Sequence, residues 1–309
     1  MKIAFLFPGQ GAQTVGMCKD IYDKYEEART LYEKASEVLG IDIEKLCFIG
    51  PEEELNKTKN TQLAILVTSL AICKVLKKYS IEPDICAGLS LGEYTALIES
   101  GILSFKDGLN LVKFRGQVME KESSDEYMMV AIIGLDSKVI EDVCNSIDGF
   151  IVPANYNYSS QTVVTGKRDV INRAVDIFKE KGAKRVIPLN TSGPFHTEKL
   201  ENASNKLKNE LAKIKFYDGN VKVLKNIDAT EYDKNSDFVQ ILSKHMVNPV
   251  RIDKIIKRLE KENVELYVEV GPGKALGGFV KKELKDAKVI SVNDLKSLDN
   301  LIEVVKECR

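Results

Sequence analysis

Residues 83–100 read PDICAGLSLGEYTALIES, and how this stretch bends determines the class of the fold. PDICAG has the form of a strand entered after Pro83, and SLGEYTALIES that of a helix. Between them, Gly88-Leu89-Ser90-Leu91-Gly92 matches G-x-S-x-G. A strand before the motif and a helix after it are what a nucleophile elbow requires. The glycines permit a turn too tight for bulkier residues. The serine then projects above the sheet at the positive end of the helix, with the backbone N–H of Leu91 facing a developing oxyanion. Taken alone, the five residues also suit a Gly-rich turn with an N-capping serine; the flanking strand and helix favour the nucleophile.

Upstream, KIAFLF at 2–7 reads as a buried strand running into the loop PGQGAQ. Residues 17–39 carry a helical stripe of Ile21, Tyr25, Ala28, Leu31, Tyr32, Ala35 and Val38. Residues 61–79 form an apolar helix, short of a membrane span and broken by polar residues, so a buried core helix is expected. Downstream, KDGLNLVKFRGQVMEKESS is a further helix. From about 127 the order becomes β-α-β-β-α-β: MMVAIIGL, SKVIEDVCNSI, FIVPAN, QTVVTG, KRDVINRAVDIFKEKG, AKRVIPLN. That is the ferredoxin-like split βαβ pattern. A helix through TEKLENASNKLKNELAKI, strands at VKVLKNID, ELYVEVGPG and KVISV, and a last helix at LDNLIEVVKEC complete the chain. The expected architecture is an α/β body, residues 1–126 and 197–309, with a ferredoxin-like insert at 127–196.

Composition excludes several functions. The chain has 309 residues, 45 basic and 46 acidic, for a net charge of −1. Nucleic-acid binders carry a clear basic excess, so no nucleic-acid partner is expected. The six cysteines include no CxxC pair, which argues against zinc or dithiol chemistry, and thiols among apolar neighbours suit a reducing cytoplasm. Two histidines are too few for a histidine-based metal site. The first apolar run stops at Pro8 and is too short for a signal peptide. No membrane association is expected.

A serine needs a base to take its proton. His196 lies in the irregular segment GPFHT, a place that suits a functional side chain. His245 lies in SKHMVNPV near a helix C-terminus, where a structural histidine is common. His196 is therefore the expected base. Arg115 shares a helix face with Leu111, Val112 and Met119. An arginine in an apolar stripe is rarely buried without a partner. On its own residues a snorkelling or salt-bridged role is favoured, although a bidentate arginine is also well suited to gripping a substrate carboxylate.

Together these residues resemble the malonyl-CoA:acyl-carrier-protein transacylases of bacterial fatty acid synthesis. The resemblance rests on eight ordered blocks: FPGQGAQ at 7–13, NTQLA at 60–64, GLSLGEYTAL at 88–97, RGQVM at 115–119, ANYN at 154–157, SGPFH at 192–196, NPVR at 248–251 and EVGPGKAL at 269–276. It implies a serine-hydrolase-like parallel-sheet body with the ferredoxin-like insert. It implies Ser90 as nucleophile, His196 as base, and the Gln10 and Leu91 amides as oxyanion hole. Arg115 becomes the clamp on the malonyl carboxylate, and Gln62, Met119, Phe195 and Asn157 become substrate-binding residues. The main-chain carbonyl of His245 orients the base. Three positions depart from the family: Leu89 replaces a usual histidine and bears on the pocket wall, His245 a usual glutamine, and ANYNYSSQ a usual ANYNSPGQ. Phe195 resembles the malonyl-selective members.

The implied activity is ping-pong transfer from malonyl-CoA to the phosphopantetheine thiol of acyl carrier protein, a separate acidic partner; Lys184 and Arg185 suit docking it, although exposed basic residues are common on any surface. No metal or cofactor is required, and a cytoplasmic monomer is expected. A thioesterase or esterase on the same elbow explains Ser90 and His196 but not Arg115. The same residues also suit an acyltransferase for another extender group and, more weakly, an inactive docking subunit.

Overall fold

The computed structural model describes residues 1–191 and 193–308. Ser192, which opens the SGPFH block, and Arg309 lie outside the described residues. The strands are β1 (Ile3–Phe7), β2 (Ile85–Gly88), β3 (Tyr127–Ile133), β4 (Ile151–Tyr158), β5 (Gln161–Lys167), β6 (Arg185–Pro188), β7 (Lys222–Val223), β8 (Val250–Arg251), β9 (Leu266–Val270) and β10 (Val289–Val292).

The first sheet runs β10-β9-β1-β2-β7, with every pairing parallel. β1, β2 and β9 are buried at every residue. Parallel strands covered on both faces need near-continuous apolar runs, and IAFLF, ICAG and LYVEV supply them. Glu269 interrupts the last run, but its carboxylate accepts from the Leu276 and Gly277 amides and the Ser291 hydroxyl. The helix Thr58–Lys78 packs into this body. By length and composition it is able to cross a membrane, yet 83% of its apolar stretch is buried within the protein. Its apolar surface is thus already covered by protein.

The second sheet runs β6-β3-β5-β4-β8. Its first four strands are antiparallel neighbours. With the helices Ser137–Ser146 and Arg168–Glu180 they follow the β-α-β-β-α-β order expected from the sequence. Asp136 caps the first of these helices by accepting the Lys138 amide at 2.8 Å. The fifth strand, β8, comes from outside the 127–196 segment and pairs parallel with β4 through Asn155–Val250 and Tyr156–Arg251. Nothing in the local sequence pattern signals this seam.

Other differences have local causes. The stripe at 17–39 is two helices, Lys19–Lys24 and Glu26–Leu39, because Tyr25 is extended at φ −113°, ψ 124°. Of VKVLKNID only Lys222–Val223 pairs in the sheet; the rest turns so that Asn226 reaches the site described below. The helix Ile252–Lys261 is an addition to the expected elements, although Ile252, Ile255, Ile256 and Leu259 form its buried stripe. Ile43–Phe48, Glu52–Leu55 and Ala275–Glu283 are further helices beyond those expected.

Candidate active site

β2 ends at Gly88, and the helix Leu91–Glu99 starts three residues later. Ser90 bridges them at φ 53°, ψ −98°, a conformation sustained only when its surroundings enforce it. Here backbone contact enforces it. A Cβ on Gly88 would lie 2.0 Å from the Gly92 carbonyl carbon, and one on Gly92 would lie 2.1 Å from the Phe7 oxygen. Only glycines let the helix start so close to the ends of β1 and β2. Asn226 ties the bend by accepting the Ser90 amide and donating to the Gly88 carbonyl, both at 2.7 Å.

His196 follows β6, the last strand of the insert, at φ 62°. Its Nε2 lies 2.8 Å from Ser90 Oγ, across 106 positions of sequence. Its Nδ1 lies 3.0 Å from the main-chain oxygen of His245. The two contacts fix the tautomer: Nδ1–H donates to the carbonyl, leaving the Nε2 lone pair to accept the serine proton. Burial, foremost, and then the charges of His245 and Arg115 hold the His196 imidazole well below its ordinary value of about 6.5; backbone hydrogen bonds partly oppose them. The ring therefore stays an unprotonated base into mildly acidic solution, and an acid limb at the free-imidazole value is not expected.

Arg115 is 1% exposed on the helix Phe105–Lys121. Its guanidinium donates to Gln62 Oε1 at 2.7 Å and to Ser90 Oγ at 2.9 Å, and lies 5.1 Å above the Tyr94 ring. Its Nε has no partner. No carboxylate forms an ion pair with it among the described residues, which eliminates the salt-bridged role. Burial shifts its proton affinity downward, as desolvating an unpaired cation must. Burial likewise raises the Tyr94 hydroxyl to about 12, so that ring stays neutral beneath the cation.

The remaining residues expected from sequence converge on the same cleft of about 570 Å³, between the body and the second sheet. Gln10, Gln62, Leu91, Met119, Asn157 and Phe195 all line it with Ser90, Arg115 and His196. Gln62 Nε2 donates to Met119 Sδ at 3.4 Å. Asn157 donates to Gln161 and leaves its own oxygen without a partner. Leu89 also lines the cleft, its side chain close to Gly9. His245 stands behind the cleft and contributes through its carbonyl. A larger groove of about 840 Å³, among Leu31, Lys34, Lys74, Lys77 and Phe105, shares none of these residues. Its Ser104 hydroxyl is a helix N-cap bonded to Asp107, and no histidine is among the described residues that line it, so the smaller cleft is the chemical site.

Asn226, Glu93 and Tyr232 join the site without having been expected there. Glu93 carried a signal, a carboxylate inside the apolar helix SLGEYTALIES. Asn226 carried none, because only the folded chain brings it to the bend, 136 positions from Ser90.

Residues 4–299 match the family described as acyl transferase domain. The malonyl CoA-acyl carrier protein transacylase of Bacillus subtilis (strain 168) is 40% identical over 310 residues, covering 99% of this chain and 98% of that protein. The crystal structure of the enzyme of that name from Clostridium perfringens superposes with a TM-score of 0.95 at 40% identity, covering 100% of this chain and 98% of that one. A malonyl-transacylase in complex with a type II PKS acyl-carrier protein superposes at 0.94 with 35% identity, covering 98% and 99%.

Proposed function

The chain belongs to the acyl transferase domain family, and on that premise we propose that it transfers a malonyl group from malonyl-CoA to the phosphopantetheine thiol of an acyl carrier protein, for fatty acid synthesis. The observation that carries the malonyl assignment is Arg115. A buried guanidinium without a carboxylate, 2.9 Å from the nucleophile, is a preformed place for the substrate's free carboxylate. A bidentate pair there supplies the missing counter-charge.

Ser90 Oγ attacks the thioester carbonyl while its proton passes to His196 Nε2. The Gln10 and Leu91 amides hold the tetrahedral oxyanion, each such donor being worth roughly 10²–10³ in rate. As the intermediate collapses, the C–S bond breaks and His196 returns the proton to the CoA sulfur, leaving malonyl-Ser90. The carrier thiol then repeats the sequence: it gives its proton to His196, attacks the ester, and releases Ser90 reprotonated. The bases and donors all come from the chain, so this scheme draws on no metal or cofactor. Lys184 and Arg185 are basic and lie at the start of β6, which suits docking of an acidic carrier. Five of the six cysteines are buried free thiols, which supports a cytoplasmic setting; we take the working unit to be a monomer.

Brief incubation with malonyl-CoA followed by mass spectrometry tests the scheme. A malonyl adduct on the Ser90 peptide is expected, lost when a carrier protein is added. An active enzyme with Ser90 unlabelled overturns it.

A further inference from the structure

Behind the Ser90–His196 pair lies a second set of ionisable groups that the transfer steps leave unused. Glu93, one helical turn past Ser90, is 0% exposed. Its Oε1 accepts from the Tyr232 hydroxyl at 2.8 Å and the Asn226 amide at 3.2 Å. Its Oε2 lies 2.8 Å from Nδ1 of the equally buried His245, an ion-pair contact without the alignment of a hydrogen bond. Among the described residues no lysine or arginine makes an ion pair with Glu93. A carboxylate so deeply buried needs a counter-charge, and His245 is the group in contact that can supply it.

This pair meets the catalytic residues on both sides. The His245 carbonyl receives His196 Nδ1–H, and the two imidazoles stack with centroids 5.1 Å apart at 29°. The Nε2 of His245 has no hydrogen-bond partner, so Glu93 is the ring's polar anchor. Through Asn226, the same carboxylate braces the bend that carries Ser90.

We propose that Glu93 and His245 are positioning residues for acyl transfer: Glu93 holds a proton on the His245 ring, which fixes the carbonyl that orients His196 and leaves His196 as the unprotonated base. The proposal rests on the acyl-transfer reading of Ser90 and His196. Two stacked imidazoles resist carrying two charges, and the proton settles on the ring beside the carboxylate. The other charged or titratable groups around the pair are Tyr94 on the Ser90 helix, Arg115 on the next, and Tyr232 and Asp228 on the turn after β7. Burial raises both tyrosines, so they remain neutral. Arg115 repels a proton from His196 until a substrate carboxylate neutralises it. After that, His245 is the nearby cation that still keeps His196 free to accept the serine proton.

The chain has two histidines, so ¹⁵N-histidine labelling of the full-length protein gives two pairs of ring nitrogens, assignable with His245→Gln. At about pH 7 the expected spectrum shows His245 as imidazolium and His196 neutral with its proton on Nδ1. In Glu93→Gln, His245 becomes neutral. Both Glu93→Gln and His245→Gln move the acid limb of Ser90 acylation upward by on the order of one pH unit. His245→Gln keeps its carbonyl and a donor for Glu93, so it lowers kcat by up to about tenfold, the worth of one hydrogen bond. A neutral His245 in the wild-type spectrum overturns the proposal, and so does an acid limb in His245→Gln that coincides with the parent's. The two failures are distinct: no acyl-Ser90 from wild type overturns the acyl-transfer reading and the positioning role with it, whereas acylation with a neutral His245 overturns the pair alone.

Discussion

Ser90 and His196 both sit at positive φ, 53° and 62°, but the regions that hold them there differ in kind. At the elbow the constraint is steric and local. Gly88, Gly92 and Phe7 lie so close that backbone atoms fill the space where side chains would begin. After β6 the constraint is polar and long-range. The His196 ring is set by a carbonyl 49 positions away and a hydroxyl 106 positions away. A collision fixes geometry with little tolerance, whereas hydrogen bonds let the base swing slightly as the proton moves. The nucleophile side is thus the rigid half of the reaction and the histidine side the half that adjusts.

The largest test removes one member from each region. Ser90→Ala and His196→Ala should each lower overall malonyl transfer by on the order of 10⁴-fold or more, and the double variant should be little worse than either alone, because they act as one unit. Steady-state transfer of the malonyl group to the carrier thiol checks this. Additive losses would mean that the two residues do not share a proton.

The steric half is broken next. Gly92→Ala places a Cβ 2.1 Å from the Phe7 oxygen, a backbone atom that cannot rotate away. A loss of about 3 kcal/mol or more is expected in urea unfolding. Gly278→Ala is the control: its Cβ meets nothing within 4 Å in the helix Ala275–Glu283. There the gain in helix propensity should stabilise by roughly 0.5–1 kcal/mol. Equal responses at the two glycines would remove the collision argument.

The same contrast explains what the sequence made legible. The elbow could be read because its cause is local: two glycines around a serine, a strand before and a helix after. The order of the insert could be read because apolar alternation and helical stripes survive in SKVIEDVCNSI and KRDVINRAVDIFKEKG. The spacing of Arg115 against Leu111, Val112 and Met119 placed it on an apolar helix face, but whether it snorkels or is buried, and its lack of a carboxylate, could only be seen in the folded protein. Asn226, the Glu93–His245 contact and the β8 seam were not legible. Each depends on which distant segments meet, and that is settled by packing of the whole body.

Arg115 tests how far the polar half reaches. Arg115→Ala should depress malonyl transfer roughly ten- to a hundredfold while leaving acetyl transfer comparatively unaffected, the worth of a charge-assisted bidentate contact. Arg115→Lys should recover only part of the loss, since an ammonium cannot form the planar fork. Removing the guanidinium also removes a like charge from beside His196. The sign follows: less repulsion raises the imidazole's proton affinity, so the acid limb of kcat/KM, which lies below about 6.5 in the parent, should move upward. Parallel pH–rate profiles for parent and variant, with malonyl-CoA and acetyl-CoA, read both effects. Equal losses for the two acyl groups would remove the clamp.

The smallest expected effect lies where the two sheets join. β8 carries Arg251, whose guanidinium makes two hydrogen bonds to Asp253, at 2.9 and 2.6 Å, and lies 4.3 Å from the Tyr156 ring of β4. Its backbone amide donates to the Asn226 carbonyl at 2.8 Å. The seam that fastens the second sheet to the body thus continues into the residue bracing the nucleophile. Arg251→Ala should cost about 1 kcal/mol, since the pair is only half-buried and the stacking is partly solvated. The strand pairing itself is main-chain and should survive. If the seam holds the cleft walls in register, the lost stability should come with a raised KM for the acyl donor and an unchanged rate of Ser90 acylation at saturation. A fall in that saturated rate would instead mean that strain at β8 reaches Ser90 through Asn226, and that the rigid half of the site depends on the joint.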